Sequence, residues 1–311
     1  MDRLFQILSL DGGGIKGVFS AAILANIETD LNVKITDHFD LIVGTSTGGI
    51  ITLGLSVGYS PREILEFYVS NHLQIFNKGL ITNLRHYFQN KYSPQALEKS
   101  LKKYFGDKRL SDCCKKIVVP SYNMSDDDVY IFKTPHHKRL KRDYKIPLWK
   151  VGMATSAAPT YFPTFNEIDN IRLIDGGVWA NNPTMVGIIE ALSLFNVDIS
   201  SIKVFSLGTT NELKSRPANL NSGGLWQWKK DASNVLMHSQ SIAINNIASH
   251  IIGKDNILRI DPSVPEGLFK LDKLNIDELI AKASSCSRKQ IPEVESKFLS
   301  HMAERYEPLY K

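Results

Sequence analysis

The sequence predicts an α/β fold built on a largely parallel central sheet, and three observations carry that prediction. An apolar run of β-forming residues at 5–10 ends in Asp11-Gly12-Gly13-Gly14 and is followed by helical spacing over 18–27. A second apolar run, 39–43, ends in Gly44-Thr45-Ser46-Thr47-Gly48 and leads into a small-residue helix at 50–57. Further strand-like runs at 116–120, 129–133, 171–174 and 202–207 are interspersed with helical stretches at 61–71, 94–104, 183–195 and 233–252. Strand, glycine turn and helix in repeated succession is how parallel strands joined by crossover helices read in a sequence.

The elements have local reasons. Ser60-Pro61-Arg62-Glu63 and Ser93-Pro94-Gln95 open helices, because serine caps free N–H groups and proline presets φ at the first helical position. Residues 41–61 carry no charge, a length that suggests a membrane span. The turn composition around Ser46 instead makes this stretch a buried strand–turn–helix. Residues 216–224, with Pro, Asn, Ser and paired Gly, form a loop, and the last forty residues look helical and charged. No repeat or low-complexity segment interrupts the chain. The expectation is one domain over 1–311, with a catalytic core at 5–210 and a helical C-terminal extension at 211–311.

Of 311 residues, 43% are hydrophobic and 22% charged, a balance that supports a large core and excludes disorder. A net charge of +5 falls short of a dedicated nucleic-acid binder, so no DNA or RNA partner is expected. Such an excess could help the chain meet an anionic bilayer, but on its own it carries no function by default. Cys113, Cys114 and Cys286 are odd in number and two are adjacent, which fits a reducing cytoplasm rather than a disulfide framework. The N-terminus lacks the apolar core of a signal peptide, so the expected location is cytoplasmic, with a peripheral position at the inner membrane face.

Chemistry concentrates in the glycine clusters. Gly12-Gly13-Gly14-Ile15-Lys16-Gly17 fits the G-x-G-x-x-G dinucleotide fingerprint, which wants an acidic residue at the end of the second strand. Asp37 and Asp40 have the right separation but sit at the beginning of the 39–43 run, at the wrong edge of the sheet. Alternatively, these glycines present backbone N–H groups to a developing oxyanion, helped by the following helix dipole. Gly44-Thr45-Ser46-Thr47-Gly48 is a G-x-S-x-G nucleophile elbow with the required strand before and helix after. Gly44 and Gly48 suit a turn too tight for side chains, which pushes the Ser46 hydroxyl out at the sheet edge.

The serine needs a base. Ser46 comes too early for the chain order of an ordinary α/β-hydrolase. None of the eight histidines stands in an evident strand-end loop, and His238 and His250 fall within a predicted helix. The best carboxylate is Asp175, which ends an apolar strand and precedes Gly176 and Gly177. In contact with Ser46 it would accept the serine proton and later activate water, and partial desolvation would raise its basicity.

Asp11-Gly12-Gly13-Gly14-Ile15-Lys16-Gly17, Gly44-Thr45-Ser46-Thr47-Gly48 and Asp175-Gly176-Gly177, in this order, resemble the patatin-like phospholipase family. The segments 154–163 and 205–209 are similar to it as well. The resemblance implies a three-layer α/β/α sandwich and a Ser46–Asp175 dyad hydrolysing fatty-acyl esters of membrane phospholipids. It further implies an oxyanion region at Gly12, Gly13 and Gly14, with no metal in the chemistry. Lys16 departs from the more usual Arg and loses its bidentate fork. Length and the segment at Tyr122-Asn123-Met124 resemble the bacterial phospholipase effectors of cyclic-oligonucleotide antiphage signalling. That likeness implies activation by a cyclic dinucleotide, degradation of the cell's own membrane and a possible homo-oligomer.

Other features have more than one reading. The basic stretch 133–142 could meet phosphate ligands or anionic headgroups, or be a solvated hairpin. Trp226 and Trp228 could anchor at a membrane, cap an acyl pocket or join the core. Asp126-Asp127-Asp128 lacks the ligand spacing of a calcium loop and reads as a turn. The alternative function is a nucleotide-binding module using the Gly12–Gly17 loop without hydrolysis, and a third reading is a hydrolase gated by a nucleotide at a separate site.

Overall fold

The computed structural model describes residues 4–75, 92–213, 215–224, 228, 232–266 and 276–311. Its frame is a mixed sheet of seven strands among the described residues. Strand β1 (Phe5–Leu10) lies at the centre, parallel to β2 (Leu41–Gly44) on one side and β6 (Ile202–Leu207) on the other. Beyond β2 comes β3 (Ile117–Asn123), also parallel. Two strands run against β3: β4 (Asp128–Lys133) at the edge and the short β5 (Leu173–Asp175). A small parallel pair, β7 (Asn211–Leu213) with β9 (Ser263–Pro265), stands apart.

Helices cover both faces, as strands apolar on both sides require. On one face lie α1 (Gly17–Leu31), α2 (Thr47–Ser56), α3 (Pro61–Ile75), α4 (Pro94–Phe105) and α5 (Leu148–Thr155). Their buried residues join Leu8, Leu10, Ile42, Val119 and Phe205 in the larger core. After the single turn α6 (Gly177–Ala180), α7 (Thr184–Leu194) covers the other face. There Ile188 and Ala191 pack with Ile7, Val43 and Val204, joined by Ala248 and Ile252 of α8 (Ala232–Ile252). The result is the expected three-layer α/β/α sandwich.

The region after residue 211 is more than a helical extension. Residues Ile257–Ile260 form β8, which continues the main sheet in parallel beside β6. A four-residue strand interrupted by Arg259 carries too little apolar pattern to be read locally. Helix α9 (Ile276–Phe298) packs along α1. At its end Phe298 is fully buried, its ring 5.7 Å from Phe39 and 5.5 Å from Phe205. Burial of such a ring contributes about 2–3 kcal/mol, so this segment helps hold the central strands.

Candidate active site

Three strand ends converge at one edge of the sheet. The first is the end of β2, where Ser46 sits between strand and α2 with φ 55° and ψ −120°. A non-glycine residue there stores on the order of 1–3 kcal/mol of backbone strain. Neighbours hold it in place: Thr45 donates its N–H to the Leu10 carbonyl and its hydroxyl to the Ala180 carbonyl. The Ser46 N–H donates to Thr155 Oγ1 at 3.0 Å, and that hydroxyl donates to the Pro120 carbonyl. Glycine is obligatory around this elbow for lack of space. A Cβ on Gly44 would lie 2.2 Å from the Gly48 carbonyl oxygen, and one on Gly48 would lie 2.2 Å from that of Leu10.

At the end of β5, Asp175 meets the serine. The Ser46 hydroxyl donates to Asp175 Oδ2 at 2.6 Å, and the Gly177 N–H donates to Oδ1 at 2.7 Å. The Asp175 backbone N–H is held by the Ala157 carbonyl. Gly176 allows the turn to pass close to β3, since a Cβ there would sit 2.4 Å from the Pro120 oxygen. Asp175 is 5% exposed, and burial pushes its carboxyl up to about 6, against the lowering pull of its two hydrogen-bond donors. A carboxylate of this kind is a better proton acceptor than a solvated one and is still ionised at neutral pH.

At the end of β1, the glycine loop lies against the dyad. A Cβ on Gly12 would come within 3.3 Å of Ser46 Cβ and 2.5 Å of Asn181 Oδ1. The three glycines are not equivalent, because the Gly12 N–H is committed to the Asn181 carbonyl at 2.9 Å. Among the described residues no acceptor takes the N–H of Gly13 or Gly14. Gly13 packs against Thr209, whose hydroxyl donates to the Gly12 carbonyl. Lys16 reaches the Thr210 carbonyl at 3.1 Å.

The loop is anchored from below by a residue that sequence reasoning missed. Arg259 of β8 donates through Nη2 to Asp11 Oδ2 at 2.6 Å and through Nη1 to Oδ1 at 3.3 Å. It also bonds Ser206 Oγ, Ser241 Oγ and Asp261 Oδ2. Burial pushes Asp11 up to about 6 while the Arg259 charge opposes this. Burial works against the guanidinium as well, but Asp11 and Asp261 hold it above its ordinary range. The available signal was a lone charge inside the apolar run Ile257-Leu258-Arg259-Ile260. Asn181, Gln240 and Thr155 were also missed. Gln240 Oε1 accepts from the Asn181 N–H, and Asn181 Oδ1 is buried without a hydrogen-bond partner.

Other candidates lie elsewhere. Asp40 stands at the far end of β2, where it accepts from the Gln6 N–H and contacts His301 Nε2 at 2.7 Å. It therefore cannot hold a ribose beside the 12–17 loop. Residues 126–127 form the turn between β3 and β4, with Asn123 donating to Asp126. Trp226 lies outside the described residues, and Trp228 is half-buried. Among the described residues no group of three His, Cys, Asp or Glu is placed to hold a metal ion. No helix among them is long and apolar enough to cross a membrane.

Known proteins resemble this chain. The patatin-like phospholipase family model matches residues 8–188, which include all three glycine turns. A cGAMP-activated phospholipase of Escherichia coli (strain TW11681) is 34% identical over 236 residues, 71% of this chain and 66% of its own length. The chain thus spans just under two thirds of that relative. A cGAMP-activated phospholipase of Vibrio cholerae is 33% identical over 294 residues, 84% of this chain and 82% of its own. Among solved structures, VipD from Legionella pneumophila matches with a TM-score of 0.50 at 12% identity. That match covers 95% of this chain and 67% of the other, and it bears on the fold alone. With the family match extending over more than half of its length, this chain belongs to the patatin-like phospholipase family.

Proposed function

We propose that Ser46 and Asp175 are the catalytic dyad of this phospholipase and that a cyclic dinucleotide switches the enzyme on. The 2.6 Å hydrogen bond from Ser46 Oγ to a buried, basic Asp175 carries the first part. Asp175 takes the serine proton as Oγ adds to an ester carbonyl, and the oxyanion lies against the N–H groups of Gly13 and Gly14. Collapse expels the lysolipid, which leaves with the proton from Asp175, and an acyl ester remains on Ser46. Water then gives a proton to Asp175 as it attacks that ester, releasing the fatty acid and restoring the serine.

Two observations support work at a bilayer surface. Helix α8 carries no Asp, Glu, Lys or Arg, yet it exposes Leu236, Ile247 and Ile251. Its Met237 methyl approaches Gly177 of the dyad loop, and Val178 in that loop is exposed. An apolar face bordering the site suits contact with acyl chains. The names of the two bacterial relatives support cyclic GMP–AMP as activator. Destruction of the cell's own membrane on that signal would make the enzyme an antiphage effector.

The test is fatty-acid release from anionic phospholipid vesicles by wild type and Ser46→Ala, with and without cyclic dinucleotides. Release by wild type only with nucleotide, and none by the variant, is the expected result. Release independent of nucleotide would remove the gating, and release by Ser46→Ala would remove the dyad.

A further inference from the structure

The basic stretch that the catalytic site leaves unused forms a cavity at the free edge of β4. The cavity has a volume of about 330 Å³ and is open to solvent. Its apolar wall is Val129, Ile131 and Leu140, and its charged wall is Arg139, Lys141 and Arg142. Two more charged residues line it and are already engaged. Lys133 pairs with Glu190, and Asp143 accepts two bonds from Arg142, at 2.7 and 3.0 Å. Among the described residues no carboxylate pairs with Arg139 or Lys141.

The cavity chemistry is that of a phosphodiester joined to a flat base. The Arg142 guanidinium lies 4.0 Å over the Tyr130 ring, and its Nη2 donates to the Ile131 carbonyl. One face is thus covered while the side chain stays 62% exposed. The open face of a fixed guanidinium is a stacking platform for a nucleobase. Lys141 lies 5.6 Å over the ring of Tyr310, whose hydroxyl donates to the Lys138 carbonyl and ties the chain end to this loop. Arg139 and Lys141 are left to meet phosphate oxygens.

The same strand leads to both members of the dyad. Ile131, in the cavity wall, is paired in register with Pro120 of β3, whose carbonyl accepts the Thr155 hydroxyl that fixes the Ser46 N–H. The preceding residue, Tyr130, under Arg142, is paired with Ser121, which is paired in turn with Asp175. A ligand that shifts β4 therefore acts on Ser46 and Asp175 through one intervening strand.

We propose that this cavity is the cyclic-dinucleotide receptor site, with Arg139 and Lys141 on the phosphates and a purine stacked on Arg142. This rests on the nucleotide-gated reading of the enzyme given above. The test compares wild type with the Arg139→Ala/Lys141→Ala double variant and with Lys141→Glu, after matching their melting temperatures. Three quantities are read: half-activating cyclic GMP–AMP concentration, binding of a fluorescent cyclic dinucleotide, and co-sedimentation with phosphatidylglycerol vesicles. Removal of two charge-assisted contacts should raise the half-activating concentration at least about tenfold and weaken nucleotide binding equally, with vesicle binding unchanged.

A double variant that responds at the wild-type concentration would place the receptor elsewhere and leave gating intact. Loss of vesicle binding with an unchanged nucleotide response would make the cavity a headgroup contact, overturning the proposal. A wild type that neither binds nor responds to cyclic dinucleotides would overturn both the gating and this site.

Discussion

Asp175 is where burial and chemistry oppose each other most directly. Its carboxyl is pushed up to about 6 by burial, so the folded chain holds that proton more tightly than the unfolded chain does. The stability this supplies is fully present below the ordinary carboxylate range and is lost as pH rises through about 6. At neutral pH the buried charge thus costs on the order of 2–3 kcal/mol, while the ionised carboxylate is able to accept a proton. Two outcomes are expected. The rate of fatty-acid release should climb as pH rises through about 6, and Asp175→Asn should be inactive yet melt no lower than wild type at pH 8. Thermal denaturation across pH, read beside a pH–rate profile, checks both. Arg259 shows the reverse case. Arg259→Ala leaves Asp11 buried without its partner, and a loss of about 3–5 kcal/mol in denaturant unfolding is expected. Arg259→Lys restores charge without the fork, so its loss should be smaller. The meeting of Ser46 and Asp175 at neighbouring strand ends was legible because glycine turns flank them. The roles of Arg259, Thr155 and Asn181 were not, because they come from contacts with distant parts of the chain, Asp11 for Arg259 and Ser46 for Thr155, or through backbone groups that any residue carries.

Secondary structure was most legible where it is continuous and apolar. Strand β6 runs over the expected residues 202–207, and α8 begins one residue before the expected 233. Pairing direction was hidden. Strand β5 has three residues and runs antiparallel to β3, which nothing in an apolar run encodes. That direction matters, since it brings the end of β5 back beside Ser121 and delivers Asp175 to the serine. Helix α8 shows a different limit, because its uncharged sequence does not say which flank is exposed. If that flank meets the bilayer, Leu236→Glu and Ile247→Glu should each weaken co-sedimentation with vesicles by about tenfold or more. Hydrolysis of a soluble short-chain ester should be unchanged. Equal loss of both activities would make the flank a structural element instead.

Across the whole molecule, the site is assembled from elements far apart in sequence. Strands β1, β2 and β5 supply the glycine loop, Ser46 and Asp175, β8 anchors the loop, and β3 pairs with both β2 and β5. The three-layer fold follows from the apolar strands, whereas the closeness of residues 46 and 175 follows from sheet order alone. Each half of the dyad is also fixed by a separate contact to β3, through Thr155 on Pro120 and through the Ser121–Asp175 pairing. The most direct measurement is therefore covalent trapping with a fluorophosphonate, read by mass spectrometry of the digested protein. The dyad predicts a single adduct on the peptide containing Ser46, much slower in Asp175→Asn and absent in Ser46→Ala. An adduct on another serine, or Ser46 labelling at an unchanged rate in Asp175→Asn, would contradict it.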